Sequence, residues 1–249
     1  MKTGAMEGGG HMTQDEPQRR SAGRPVKEVL SQARITAAAL AIIKTGGYGT
    51  LTMSALAKRL GVAPSALYNH VDSKQEVLRW LQDHVMSSVD TSGFAELPWD
   101  QALRGWARSY RDVFARHTPL IPVIAVLQVS GAPRTLAMYE AVTEGLVRAG
   151  WPPAQIVPAI VALESFIYGS AYDAVAPQDI FDTGALAGQS PHFTAAVQEQ
   201  SGRAEGRAAD SAFEAGLDAL VTGPGCRVRP VSGRRLRARP GRRPAGPRR

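Results

Sequence analysis

From about residue 27 to residue 222, large apolar residues recur three and four positions apart. No stretch alternates apolar and polar residues as a half-buried strand would. A chain with that single period builds its core from helices packed on helices. The punctuation between the periodic runs agrees. Ser31 precedes a run whose apolar face is Ile35, Ala38, Ala39, Ile42 and Ile43, and Gly46-Gly47 stops it near Thr45. Thr52 opens a second helix to about Leu60 that buries Leu56, Ala57 and Leu60, and Gly61 follows as a turn residue. Pro64 opens a short third helix to about Val71. Ser73-Lys74-Gln75-Glu76 reads as an S-x-x-E capping box, which fixes a fourth helix start at Ser73, with Val77, Leu78, Leu81 and Val85 facing inward.

Further helices are predicted over Pro98–His117, Pro119–Val129, Pro133–Ala149, Pro153–Val175, Phe193–Gln200 and Arg207–Val221, with 176–192 as a loop. The first of these aligns Leu103, Trp106, Ala107, Tyr110, Phe114 and His117, and the third aligns Leu136, Tyr139, Val142 and Leu146. The helix from Pro153 is apolar nearly all round and must be covered on most sides. The predicted class is therefore all-α.

Charge divides the chain more sharply than hydropathy does. The net charge is +7 over 249 residues, but it is unevenly placed. Residues 1–18 carry −2, residues 19–80 carry +7, residues 81–222 carry −8, and residues 223–249 carry +10 from ten arginines with no acid. A basic head on an acidic body points to a polyanion partner for the head. The expected organisation is a disordered, basic-ended leader over 1–26, a compact head over 27–80, a helical body over 81–222 and a disordered Arg-rich tail over 223–249. One cysteine, Cys226, excludes an internal disulfide and a zinc cage. No metal or cofactor is expected. No uninterrupted apolar run approaches ~20 residues, so no membrane span is expected. Met1 to Met12 has no apolar h-region, and a cytoplasmic location is the default. The motifs G-x-S-x-G, H-E-x-x-H, C-x-x-C, the P-loop and the Rossmann glycine fingerprint are all absent, so nothing asks for an enzyme.

Two short helices joined by Leu60-Gly61-Val62 make a helix-turn-helix candidate. The turn needs a residue that accepts positive φ, and Gly61 supplies it. Small residues at Ala55 and Ala57 suit a close helix crossing. Leu67 and Val71 anchor the second helix inward, leaving Ser65, Ala66, Tyr68, Asn69 and His70 to face a major groove. The run from Gly47 through Leu51-Thr52, Leu56-Ala57 and Leu60-Gly61-Val62 to Leu67-Tyr68-Asn69-His70 and Ser73-Lys74 resembles the DNA-binding domain of the tetracycline-repressor (TetR) family of bacterial regulators. The likeness covers about residues 31–80. Residues 81–222 match it in style, ending on a Phe-x-x-Gly-Leu-x-x-Leu-like helix.

The resemblance implies site residues. Tyr68 and Lys74 would meet phosphates, the latter at a helix N-terminus. Thr52 and Ser54 would touch backbone or base edges, Asn69 and His70 would lie in or beside the groove, and Ser65 and Ala66 would sit at bases. Ala63 stands where the family often has Ser or Thr, so helix three loses a side-chain cap and a phosphate donor. Arg24, in Arg19-Arg20-Ser21-Ala22-Gly23-Arg24-Pro25, resembles a minor-groove arm; the alternative is a solvated basic linker.

For the body, the resemblance implies a homodimer through helices 153–175 and 207–221, and a ligand-binding pocket between the long helices. Candidate ligand residues are Trp106, Tyr110, Gln128, Met138, Tyr139, Leu163, Glu164, Ile167 and Tyr168. Glu164 is the one charge between Arg148 and Asp173. A buried carboxylate needs a partner or shifts its pKa upward. Two readings of it stand: a ligand anchor, or a group satisfied by an arginine or hydroxyl at the dimer interface. The expected function is a ligand-responsive transcriptional regulator, a repressor that binds a palindromic double-stranded DNA operator and is released by a small-molecule effector. The alternatives are a non-specific nucleic-acid binder acting through its Arg-rich tail, and a helical small-molecule enzyme.

Overall fold

A computed structural model describes residues 30–202 and 208–223. Arg24, Arg203 to Arg207 and the arginine tail from Pro224 lie outside the described residues. Among the described residues the secondary structure is helical, with no strand.

The head follows the punctuation of the sequence closely. Helix α1 (Gln32–Gly46) starts where Ser31 accepts the Arg34 amide and ends at Gly47. A 3-10 turn over Tyr48–Thr50 leads to α2 (Met53–Leu60), capped by the Thr52 hydroxyl on the Ala55 amide at 3.0 Å. At its other end Gly61 sits at φ 68°, ψ 31°. There the Gly61 amide donates to Lys58 and the Val62 amide to Ala57, the two crossed bonds of a Schellman closure. Helix α3 is shorter than the sequence suggests: it spans Pro64–Tyr68, and Asn69 and His70 form a turn while the Val71 amide still bonds to the Leu67 carbonyl. Ala63 provides no side-chain cap at the start of α3. Helix α4 (Lys74–Met86) begins at a capping box with a shifted return bond. Ser73 accepts from the Glu76 amide, but the Glu76 carboxylate accepts from Asp72 rather than from Ser73.

Ile35, Ile43, Leu51, Leu56, Leu67, Val71, Val77 and Leu81 form the core of the head, each essentially removed from solvent. Each such side chain contributes about 1.5–3 kcal/mol of hydrophobic stabilisation. Helix α4 does not stop there. Leu78, Val85 and Met86 continue the same apolar cluster into the body.

The body contains α5 (Gly93–Glu96), α6 (Trp99–Ala115), α7 (Ile121–Ile124), α8 (Pro133–Arg148), α9 (Pro153–Asp173), α10 (Pro191–Gly202) and α11 (Ala208–Thr222). Helix α6 is central, packed against α5, α8, α9 and α11, and buries Leu103, Trp106, Ala107, Tyr110 and Phe114 as expected. Several expectations change. Helix α5 is an addition, since four residues carry too little period to see. The expected helix 119–129 reduces to a 3-10 turn at Thr118–Leu120 and the single turn of α7. The loop 176–192 holds a 3-10 segment, Gly184–Gln189, and α10 is longer at both ends than predicted. Helix α8 is rotated relative to the predicted face: Leu136 points outward, while Thr135, Met138, Val142, Gly145 and Leu146 are buried.

Helix α11 is fixed to α6 by a ladder of ion pairs. Arg104 meets Asp218 at 2.7 Å, Arg108 forks onto Glu214 at 2.7 and 2.6 Å, and Arg111 meets Asp210 at 2.8 Å. Arg111 is buried, lies 4.6 Å over the Phe213 ring and donates Nε to the Ser170 carbonyl. Phe213 in turn stacks on Phe166 of α9 at 5.4 Å. A Cβ at Gly216 would stand 2.6 Å from the Phe166 ring, so this crossing is as close as it is because residue 216 has no side chain.

Helix α9 is long and apolar enough to cross a membrane by length and composition alone. Here one side packs into the body through Ile156, Ile160, Leu163 and Ile167. The other side is open in the single chain: Val157 and Val161 are 65% and 53% exposed.

Candidate DNA-reading face and effector site

The head presents two short helices across the Gly61 turn. Leu67 and Val71 are buried, so the rest of α3 and the following turn must face out. Ser65, Tyr68, Asn69 and His70 are exposed, Ala66 is half-buried, and Ala63 is exposed at the start of the helix. Thr52 and Ser54 are exposed at the start of α2. The Thr52 oxygen is used as a cap, which leaves its hydroxyl proton free to donate outward. Lys74, half-buried at the first position of α4, holds its ammonium 4.3 Å from the centre of the Tyr48 ring. Nothing in the sequence singles out Tyr48. It lies in the Gly47-Tyr48-Gly49-Thr50 link, and its role is to fix a long flexible cation in place.

The body brings five of the nine predicted ligand residues into one cluster. Tyr110 donates to Glu164 Oε1 at 2.9 Å and Tyr139 donates to the same oxygen at 2.6 Å. The Tyr110 and Tyr168 hydroxyls are 2.8 Å apart. Trp106, Tyr110, Phe114 and Tyr168 make edge-to-face and tilted ring pairs at 5.1–5.7 Å. Phe114 belongs to this group, although its place in the helical stripe marks it only as core. The phenols are neutral and firmly so. Burial first, then the negative charge of Glu164, pushes Tyr110, Tyr139 and Tyr168 above the ordinary tyrosine value. Burial likewise raises Glu164, against the opposing pull of the Tyr139 and Tyr110 hydrogen bonds. Glu164 Oε1 is thus satisfied by hydroxyls of its own chain.

The remaining predicted ligand residues fall elsewhere. Gln128 is exposed in the turn after α7, which corrects its placement in the pocket; the predicted helix 119–129 that would have turned it inward does not form. Leu163 and Ile167 are buried core residues of α9. Met138 lines a cavity of about 260 Å³ with Met86, Ser87, Val89, Thr91, Arg134 and Ala137, between the end of α4 and the start of α8. A larger depression by Ala195, Gln198, Glu199 and Gly202 contains no predicted residue. No group of three metal-ligating side chains occurs among the described residues.

The residue that links head to body is not visible in the sequence. Helix α8 begins at Ala132-Pro133, with no side chain of its own to cap it. Asp83 of α4, buried, does so from outside: one carboxylate oxygen accepts the Arg134 amide at 2.7 Å and the Thr135 amide at 3.0 Å. A carboxylate at a helix N-terminus is favoured by both the open amides and the helix dipole. The one hint in the sequence is an acid set between Leu81 and Val85 on the inward side of an amphipathic helix.

Two family descriptions match the chain: "Bacterial regulatory proteins, tetR family" over residues 35–80, and "Tetracyclin repressor-like, C-terminal domain" over residues 95–224. An HTH-type transcriptional regulator of Saccharopolyspora erythraea is 28% identical over 169 residues, 68% of this chain and 70% of that protein. The class A tetracycline repressor protein from transposon 1721 of Escherichia coli is 29% identical over 194 residues, 75% of this chain and 86% of that protein. Among solved structures, the Streptomyces coelicolor protein ActR in complex with actinorhodin superimposes with a TM-score of 0.63. It has 24% identity and covers 78% of this chain and 96% of that one, a likeness of fold.

Proposed function

Since the chain belongs to the tetracycline-repressor family of bacterial transcriptional regulators, we propose that it is a homodimeric repressor that reads a palindromic operator through residues 27–80. The body over 81–222 then releases the operator when it takes up a small molecule. The observation that carries this reading is the split of α3 and the turn after it, with Leu67 and Val71 inside and Ser65, Tyr68, Asn69 and His70 outside, across a left-handed Gly61. That is the arrangement a helix needs to enter a major groove. Such a regulator works in the cytoplasm, where the chromosome lies, and needs no catalytic group.

The test is selection of bound duplexes from a random pool by the full chain. An inverted repeat is expected, with half-site centres one helical turn (~34–36 Å) or a multiple apart. A pool with no symmetric sequence enriched would overturn the reading. Replacing Tyr68 and Lys74 with Ala is expected to weaken binding to every sequence alike and to flatten the salt dependence. The slope of log affinity against log salt should fall by about 0.9 for each phosphate that the variant no longer neutralises. Gel-shift titrations at four salt concentrations measure it. The ten arginines beyond residue 223 favour a second reading, a non-specific nucleic-acid binder. A chain ending at Gly223 separates the two: sequence-selective binding that survives supports the repressor, and loss of all binding supports the tail.

Release requires the body to act on α4. The cluster supplies Tyr139 on α8, whose first turn is held by Asp83 of α4, whose own N-terminus follows the reading turn. An effector that pulls Tyr139 shifts α8 and, through the carboxylate, the head; this is a population shift between two arrangements of the readers. Asp83→Ala would leave two amides without an acceptor, at a cost of about 1–3 kcal/mol for a buried group. The expected result is faster hydrogen exchange at Arg134 and Thr135, with the operator still bound but no longer released by effector. Asp83→Asn, which keeps an acceptor oxygen, is expected to restore slow exchange.

A further inference from the structure

We propose that the effector is a cation bearing N–H groups, an alkyl- or arylammonium or an amidinium, held on the free oxygen of Glu164. The inference rests on the effector site argued above and adds the class of molecule that fits it.

Both hydroxyl donors converge on one oxygen. Tyr110 and Tyr139 each donate to Oε1. Tyr110, having spent its proton there, accepts from Tyr168. Oε2 has no donor among the described residues, although a carboxylate has room for about four. Glu164 and its neighbours Tyr139 and Tyr168 are only partly buried.

Charge is as one-sided as the hydrogen bonding. Among the described residues Glu164 has no ion pair, and α9 carries no basic residue at all. The basic residue next to Tyr110, Arg111, is turned away and occupied by Asp210, Ser170 and Phe213. On α8 the base nearest the far end, Arg148, turns to Glu144 and the Phe94 carbonyl. Half-burial without a countercharge penalises the carboxylate, and the same penalty is the driving force for a cation to join it. The walls favour the same class. Tyr110 and Phe114 are fully buried, so the aromatic surface beside Glu164 is that of half-buried Tyr139 and Tyr168, and a cation over a ring face gains where an anion loses. An acidic ligand would meet Glu164 unscreened. A neutral hydroxyl would gain one hydrogen bond to Oε2 but none of the charge.

The test uses three sets of arylmethyl compounds of one to three rings, each matched in shape: the methylamine, the methanol and the carboxylate. Each is titrated calorimetrically into the full chain and into Glu164→Gln. The amines are expected to bind at least tenfold more tightly than their alcohols, with no saturable heat from the carboxylates. In Glu164→Gln the amine is expected to fall to the level of the alcohol, whose own affinity stays within twofold. If alcohols or carboxylates bind as tightly as amines and Tyr139→Phe weakens them, the site stands and the cation class is wrong. If no compound gives saturable heat with the unaltered chain, both the site and its class are overturned. Should Glu164→Gln fail to fold, the amine-to-alcohol ratio on the unaltered chain decides the matter alone.

Discussion

A Val161→Glu chain is expected to run as a monomer and to bind its operator about 10²–10⁴-fold more weakly than the unaltered protein. Val161 and Val157 stand exposed on α9, on a face that also shows Ala154, Pro158, Ala162 and Ser165. Beside it α11 exposes Ala208, Ala212, Ala215 and Ala219. Two helices with flat, small, apolar outer faces can approach a second copy of themselves closely, and a repeated contact about a two-fold axis buries each such residue twice. A glutamate at 161 would then be desolvated twice with no partner. Each head alone reads only one half-site, so the loss of the second, tethered binding event sets the size of the effect. Sedimentation velocity and a gel shift on the same preparation measure it. Val126→Glu, at a residue exposed outside α9 and α11, is the control and should change neither. A Val161→Glu chain that stays dimeric would move the interface off α9.

Tyr110→Ala carries the largest expected loss of stability, about 3–5 kcal/mol, by analogy with other buried aromatic truncations. At about 2–4 °C per kcal/mol for a chain of this size, the fall in Tm is measurable by calorimetry. Tyr110 has no exposed surface, packs between Trp106 and Phe114, and is the middle link of the hydroxyl chain from Tyr168 to Glu164. Tyr110→Phe keeps the ring and separates the two roles. The expected cost drops to about 1.5–3 kcal/mol, that of a hydrogen bond to a charged group. Its pH dependence is the sharper readout. A carboxyl whose folded value lies above its unfolded one holds its proton more tightly in the folded chain. Its contribution to stability is therefore full below the unfolded value and fades as pH rises through the folded one. Glu164 is already raised by burial and held down by two tyrosine hydroxyls. With one hydroxyl removed, that fading should move to higher pH, and Tm scans across pH of Tyr110→Phe and the unaltered chain would show it.

How much of this was legible in the chain depended on whether the cause was local. Helix starts at Ser31, Thr52 and Ser73 and the stop at Gly61 are decided by side chains within three residues, and all four stand where the sequence places them. The length of α3 was not legible, because where it ends is set by how Val71 is seated in the core rather than by a local stop residue. The outward turn of Leu136 and the exposure of Gln128 escaped for the same reason: a face is chosen by what packs against it. The Glu164 cluster was half legible. An isolated acid in an apolar helix announces that it needs partners, but Tyr110 and Tyr139 are supplied from two other helices, 54 and 25 residues away. Asp83 was wholly illegible as a cap, since the amides it holds, at Arg134 and Thr135, lie 51 and 52 residues further along the chain.

The ion-pair ladder between α6 and α11 has a geometric consequence. Its arginines are spaced by four and three residues and its acids by four and four, so the two helices mesh like a rack and pinion. A slide of half a turn would disengage every tooth, whereas a slide of one full turn, about 5.4 Å, would re-engage two of the three. The ladder therefore favours a single register of α11 on α6, the one that seats buried Arg111 between Asp210 and the Phe213 ring.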